Sequence, residues 1–413
     1  MPNYDINDYK ENDMDKFYSE LIEYSKTLNI IDAHEHFVSE PEHLKRYLSF
    51  YDYLAAYVKG DLASSGMNYG LLDYPKNEGQ AIDLFRKIEP FWQYIKYSSY
   101  ARPVLLALKK FHDCDDLTEE NIVKIGRELN ERNKPGHFDE IFNATKIELI
   151  LNQSTTGEKA FADSRFCYGI PDEDDCSIKL RNFFDSCPEG TYDDYINMID
   201  KEMAEEVNNG AILQKFFSDV FIHPLDKKAA LSDFEDIRKN SKMPCSAALS
   251  SAIAHEKLDL CAKYNIVAAI HTGVWGDITR LSPSIMFPVV NAHWGTVFDI
   301  YHMGIPYVRE CAFLGKNFPH VHLNLCWSHC VSEQMTKNMI NEWLDLVPVN
   351  KIIGFGGDVN TLPEQVWGQL NHALENLSRA FAYRIKIGRM DLNYAKYVMK
   401  LWLYDNPKRI YKL

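Results

Sequence analysis

The sequence predicts an α/β chain folded as a (β/α)8 TIM-like barrel, with a long helical insertion after the first strand. Three observations lead there. Eight short, β-branched runs of even polarity each stop at Gly, Asn, Ser, Asp or a polar cluster, as buried parallel strands do. Helical patterns lie between most of them, and strands alternating with helices make parallel βαβ units that close at eight. The first run ends in His-Glu-His, where an open dinucleotide-type sheet would be expected to carry a glycine-rich turn.

The strand runs are 29–36, 146–153, 166–170, 211–217, 266–273, 297–304, 321–327 and 351–358. Helical patterns fill intervals such as 246–264 and 306–317. The interval 37–145 is far longer than the one helix a barrel needs. Within it, 117–132 places Ile122, Ile125 and Leu129 on one face behind Thr118 as N-cap. The aromatics Tyr51, Tyr53, Tyr57, Phe91, Trp92, Tyr94 and Tyr97 have two readings. They pack the insertion onto the barrel, or they belong to a helical cap above the catalytic mouth, since the insertion leaves from the strand end where barrel active sites lie. One barrel domain over 1–413, with 37–145 inserted, is the expected organisation.

Composition narrows the function. The 413 residues are 46% apolar, enough for a large core, and Asp+Glu 59 exceeds Lys+Arg 45 for a net charge of −14. That balance does not attract a phosphate backbone, so no nucleic-acid partner is expected. No run is apolar for long enough to span a bilayer, and the acidic start MPNYDINDYKENDMDKFY has no signal-peptide core. Nine cysteines without a CxxC pair suggest reduced thiols in a cytoplasm rather than a disulfide framework. Self-association into a homo-oligomer is left open.

Chemistry gathers at the strand ends. His34 and His36 are two apart on a strand, so both imidazoles face one side, and a shared divalent cation would satisfy such a pair. His271, His302 and Asp358 each fall at the C-terminal end of a later strand, the rim where side chains of a barrel converge. Lys215, on the fourth strand, is ambiguous. It reaches solvent, is paired, binds an anionic substrate, or is carbamylated and bridges a second metal. His43, His112, His137 and His372 read as exposed helix or loop residues. His320 and His322 belong to the seventh strand, and His293 and His329 to loops that could face the mouth.

The order His-x-His, His, His, Asp after strands one, five, six and eight resembles the amidohydrolase superfamily. The segment VFDIYHMGIPYVRE at 297–310 resembles the sixth-strand region of its amidohydrolase-2 branch, which holds decarboxylases and lactonase-like enzymes. So do VPVNKIIGFGGD at 347–358 and LYDNPKRIY at 403–411. The chain from strand four onward is also similar to the amidohydrolase-like domain that some proteins fuse to glutamine-synthetase-like domains. The resemblance covers the chain from about residue 31 onward without the insertion. It implies a divalent ion, usually Zn2+, held by His34, His36, His271 and Asp358, with His302 as a catalytic histidine. In a binuclear member Lys215 and His302 would be ligands too.

Three imidazoles and one carboxylate leave a zinc ion one open position for water, whose pKa would fall toward about 7. Asp358 would then move the proton, and His302 would bond the oxyanion. The expected function is metal-dependent hydrolysis of an amide, lactone or related bond in a small polar molecule through a metal-bound hydroxide. A non-oxidative decarboxylase on the same site is the alternative, with a uronate-type isomerase and a non-catalytic scaffold domain behind it. Arg280, Trp275, Trp294 and Trp327 are expected on the catalytic-face loops, where they would grip a carboxylate-bearing or planar substrate. Arg309 reads as a helix residue facing solvent.

Overall fold

A computed structural model of the chain describes residues 11–153, 164–171, 176–240, 243–274 and 276–413. Trp275 lies outside them. Eight parallel strands form one sheet in chain order, a nearly closed barrel with flanking helices. They are β1 (Ile30–Glu35), β2 (Ile147–Asn152), β3 (Phe166–Ile170), β4 (Ala211–Phe217), β5 (Val267–His271), β6 (Val297–Tyr301), β7 (Val321–Asn324) and β8 (Ile352–Ile353). Their buried, β-branched sequences suit a sheet covered on both faces.

Strands β1, β2 and β5 to β8 are shorter than their sequence runs. β6 stops at Tyr301 because His302 and Met303 take left-handed backbone, with φ of 66° and 55°. β8 keeps two residues, and the chain continues as irregular extended backbone to Asp358, itself at φ 58°. Helix boundaries follow capping chemistry. Ser246 caps helix Ala247–Tyr264, and Thr118 caps helix Glu119–Arg132 by accepting from the Asn121 N–H.

The chain divides into two compact units. The first holds the described residues up to Arg165, with Leu325–Asp345 and Gly354–Asn406. Here β1 pairs with β2, and on its other edge the Ala33 and His36 N–H groups donate to Phe355 and Val359 carbonyls. Between β1 and β2 run helices including Glu78–Ile95, Ala101–His112 and Glu119–Arg132. Tyr51, Tyr53 and Trp92 are buried in their apolar core, whereas Tyr94 and Tyr97 face solvent.

The second unit holds Phe166–Asn324, Leu346–Ile353 and Pro407–Leu413. It contains β3 to β8, each paired in parallel with the next.

Two expectations are corrected. His43, His112, His137 and His372 are buried, not exposed. Local carboxylates make burial tolerable for three of them: Glu128 for His112, Glu364 for His137 and Glu333 for His372. His43 instead packs its ring against Phe138 and His137. The cysteines are not all reduced thiols, because Cys176 and Cys245 are bonded, with their Cα atoms 6.3 Å apart. Among the described residues no helix is long and apolar enough to cross a membrane.

Candidate metal centre

In the first unit β1 delivers His34, and His36 follows just beyond the strand end, so their rings meet edge-on with centroids 4.7 Å apart. Asp358 arrives from the segment after β8. Its Oδ1 stands 3.4 Å from His34 Nε2 and 3.3 Å from His36 Nε2. Two imidazole nitrogens around one carboxylate oxygen at this spacing are a donor set able to share a metal ion.

The tautomers can be argued. His36 Nδ1 lies 2.7 Å from the Gln153 carbonyl, an acceptor only, so this nitrogen carries the proton. The Nε2 lone pair is thereby left toward Asp358, the outer-shell arrangement that orients metal-binding histidines.

The backbone is built for close approach. A Cβ on Gly357 would run into the Glu35 carboxylate, and one on Gly356 would crowd Cys326 and His34. With both positions glycine, the Asp358 N–H donates to the His34 carbonyl at 2.8 Å. Asp358 at φ 58° and Trp327 at φ 60° are left-handed without being glycine, a strain that concentrates at functional sites.

Three residues around this group escaped the sequence reading. Asp32 and Glu35 are fully buried beside the histidines. Burial pushes the Asp32 carboxyl up to about 6. It pushes Glu35 well above the carboxylate range, with the Asp32 charge adding to it. Asp32 accepts from the Gly357 N–H at 3.1 Å and Glu35 from the Val359 N–H at 2.5 Å, so the pair anchors the segment carrying Asp358. Two acids in a strand that should be wholly buried were the available signal.

Tyr57 is the third. It comes from the segment between β1 and β2, and its hydroxyl donates to the Asp358 carbonyl. Burial first, then the Asp358 charge, holds its phenol protonated. Its ring lies 4.7 Å from Trp327 and 5.5 Å from Tyr100. The Trp327 main-chain N–H donates to the Gly356 carbonyl at 2.9 Å. Trp327 is thus beside Asp358, though almost wholly buried.

In the second unit His271 ends β5 and His302 follows β6. Neighbouring registers bring His302 Nε2 to 2.9 Å from His271 Nδ1. Lys215 is nearly buried on β4, with Nζ 4.2 Å above the Tyr301 ring centre.

Other candidates stand apart. Arg280 follows β5, is 60% exposed, and has Asp219 at 3.8 Å. Trp294 precedes β6, at the opposite end of that strand from His302, and packs on His320 and Phe318. His293 is bonded to His255 and Asp259, each at 2.7 Å, and His329 to the Gly354 carbonyl at 3.0 Å. Arg309 lies exposed on helix Val308–Asn317.

No family model matches the chain. A curated relative, protein fluG of Emericella nidulans, is 24% identical over 149 residues. That is 35% of this chain and 17% of fluG, so the match spans about a sixth of that relative. Among solved structures, a glucuronate isomerase from Caulobacter crescentus superposes with a TM-score of 0.78 at 15% identity, over 100% of this chain and 97% of its own. A uronate isomerase from Thermotoga maritima gives 0.77 at 13% identity, over 96% and 97%. A Lactobacillus casei protein provisionally designated a metal-dependent hydrolase gives 0.64 at 15% identity, over 95% and 97%. At these identities the likeness is one of fold.

Proposed function

We propose that the chain is a metal-dependent enzyme of the amidohydrolase type that isomerises a uronate-like sugar acid between its aldose and ketose forms. The observation carrying this reading is the His34, His36 and Asp358 group, with Asp358 Oδ1 3.3–3.4 Å from two imidazole nitrogens. The fold shared with two uronate isomerases over nearly the full length of all chains supports the choice of reaction. In this reading His34, His36 and Asp358 hold one divalent ion, first of all zinc, and the sequence order adds His271 as a further ligand. When bound, the ion supplies Lewis-acid stabilisation of substrate oxygen.

The protein's own groups do the rest. Isomerisation takes a proton from C2 and returns one to C1, while the O2 hydroxyl proton ends on O1, so no atom is gained or lost. Asp358 carries a proton in this scheme. Its main chain is held by the Tyr57 hydroxyl, and its segment by Asp32 and Glu35. His302, hydrogen-bonded to His271, donates to the oxygen on which charge develops. A uronate also meets the expectation of a small, carboxylate-bearing substrate.

Hydrolysis of a lactone or amide is the second reading, favoured by the fold shared with the Lactobacillus casei protein. It uses the same residues. The test is incubation of the metal-saturated enzyme with D-glucuronate, followed by proton NMR for the ketose. In parallel, a lactone and amide panel is read for uptake of 18O from solvent. Ketose formation supports isomerisation; cleavage with label uptake and no ketose replaces it with hydrolysis.

A further inference from the structure

Cys176 and Cys245 bond two connections of the second unit to each other. Cys176 follows β3 and is the first residue of helix Cys176–Ser186. Cys245 follows β4 and stands one residue before Ser246, the N-cap of helix Ala247–Tyr264. Both connections leave the C-terminal ends of their strands, the face on which barrels carry reactive groups. Both cysteines are partly exposed. The Cys245 N–H donates to the Ser177 hydroxyl at 2.7 Å, and Ser250 Oγ lies 3.5 Å from Cys176 Sγ. A bonded sulfur carries no proton, so the Ser250 hydroxyl is the donor. The other cysteines contrast with this pair. Cys114, Cys261, Cys311, Cys326 and Cys330 are buried free thiols. Burial pushes Cys261, Cys311 and Cys330 up, and half-buried Cys167 up to about 11, which keeps them protonated and inert. Cys187 is exposed, but it lies past the far end of helix Cys176–Ser186. That is roughly 16 Å from Cys176 along the helix, too far to exchange with it.

We infer that Cys176 and Cys245 are a reversible redox pair, opened by a dithiol reductant and closed by a disulfide oxidant, which sets how firmly the β3 and β4 connections are held. A thiolate of the dithiol attacks Cys245 Sγ, the S–S bond breaks, and Cys176 Sγ leaves with the electron pair. The N-terminus of its helix and the Ser250 hydroxyl both stabilise Cys176 as a thiolate, which makes it the better leaving group. The second thiol of the reductant then displaces Cys245 from the mixed disulfide. Two electrons and two protons pass to the cysteines, and the reductant ends as a disulfide. The Cys245–Ser177 hydrogen bond involves neither sulfur, so it keeps the two thiols near enough to close again.

The test needs no substrate. The full chain is treated with oxidised glutathione, and its free thiols are then blocked with N-ethylmaleimide in denaturant. Cysteines still in disulfides are reduced, labelled with iodoacetamide and located by mass spectrometry. Cys176 and Cys245 should carry the second label. Brief exposure of the folded protein to dithiothreitol before blocking should move both to the first. If both are already blocked in the oxidised protein there is no bridge, and if both keep the second label after dithiothreitol the bridge is a permanent brace; either result overturns the inference. Melting gives an independent arm. The bridge spans a sequence separation of 69, so opening it should lower the melting temperature of the wild type by about 5–15 °C, and reoxidation should restore it. The double variant Cys176→Ser, Cys245→Ser should melt like the reduced wild type with or without reductant. Equal melting of the oxidised and reduced wild type contradicts a bridge that holds the two connections.

Discussion

His36 Nε2 stands 3.3 Å from Asp358 Oδ1 while the opposite nitrogen of the same ring is held at 2.7 Å by the Gln153 carbonyl. The ring is therefore oriented from behind, and its lone pair faces the carboxylate. If that lone pair binds a metal, His34→Ala and His36→Ala should lose metal and turnover together. Elemental analysis beside a rate measurement checks this; either variant keeping full turnover with its metal lost contradicts it.

Asp358 is expected to separate binding from proton transfer. Asp358→Asn keeps an oxygen for coordination but cannot act as a base near neutral pH. It should retain much of its metal and lose about 10²–10⁴-fold in turnover, the usual contribution of a general acid–base group. His302→Asn is the companion variant, expected to keep its metal in a one-metal site. Normal turnover in Asp358→Asn would send the search for the base elsewhere.

Tyr57 ties the segment between β1 and β2 to the main chain of Asp358. Tyr57→Phe keeps the stack on Trp327 and removes only the hydroxyl. An unsatisfied buried carbonyl costs about 1–3 kcal/mol, so a turnover loss of roughly tenfold with metal content unchanged is expected. Steady-state rates with metal analysis of the same samples decide it, and unchanged turnover would leave Tyr57 a packing residue.

Buried histidines held neutral should take stability away as the pH falls below about 6.5. Burial lowers His43, His255 and His329 to about 4 and His322 to about 3. In the unfolded chain each titrates near 6.5, so below that pH the unfolded state binds protons that the folded state refuses. Each group then removes up to about 1.4 kcal/mol per pH unit between about 6.5 and its folded value. Urea unfolding at pH 7.5, 6 and 5 reads this directly. The raised carboxyls of Asp32 and Asp299 act in the opposite sense, so the wild type is compared with His322→Phe; an unchanged pH slope in that variant would show that this ring is not kept neutral.

Much of this architecture was legible because it depends on local pattern. Eight β-branched runs announced eight strands, and Thr118 announced the start of its helix. His34, His36 and Asp358 were visible because strand periodicity and strand ends restrict where such residues point. What failed depended on distant partners. The burial of His137 becomes tolerable only through Glu364, far along the chain. Asp32 and Glu35 passed as strand residues because their use, anchoring the segment around Gly357, is a tertiary contact. Tyr57 could not be told from the other aromatics of the insertion, since nothing local marks the one that reaches Asp358. Trp294 was misjudged for a simpler reason: it precedes β6 rather than following a strand, which places it away from His302.

In the proposed function His34, His36 and Asp358 hold a metal that the reaction needs. The most direct measurement is metal per chain and turnover through one cycle of chelation and reconstitution. Close to one divalent ion per chain is expected before chelation, with loss of turnover as that ion leaves and recovery on adding zinc, manganese or cobalt. Full turnover in protein shown by elemental analysis to be metal-free would contradict it.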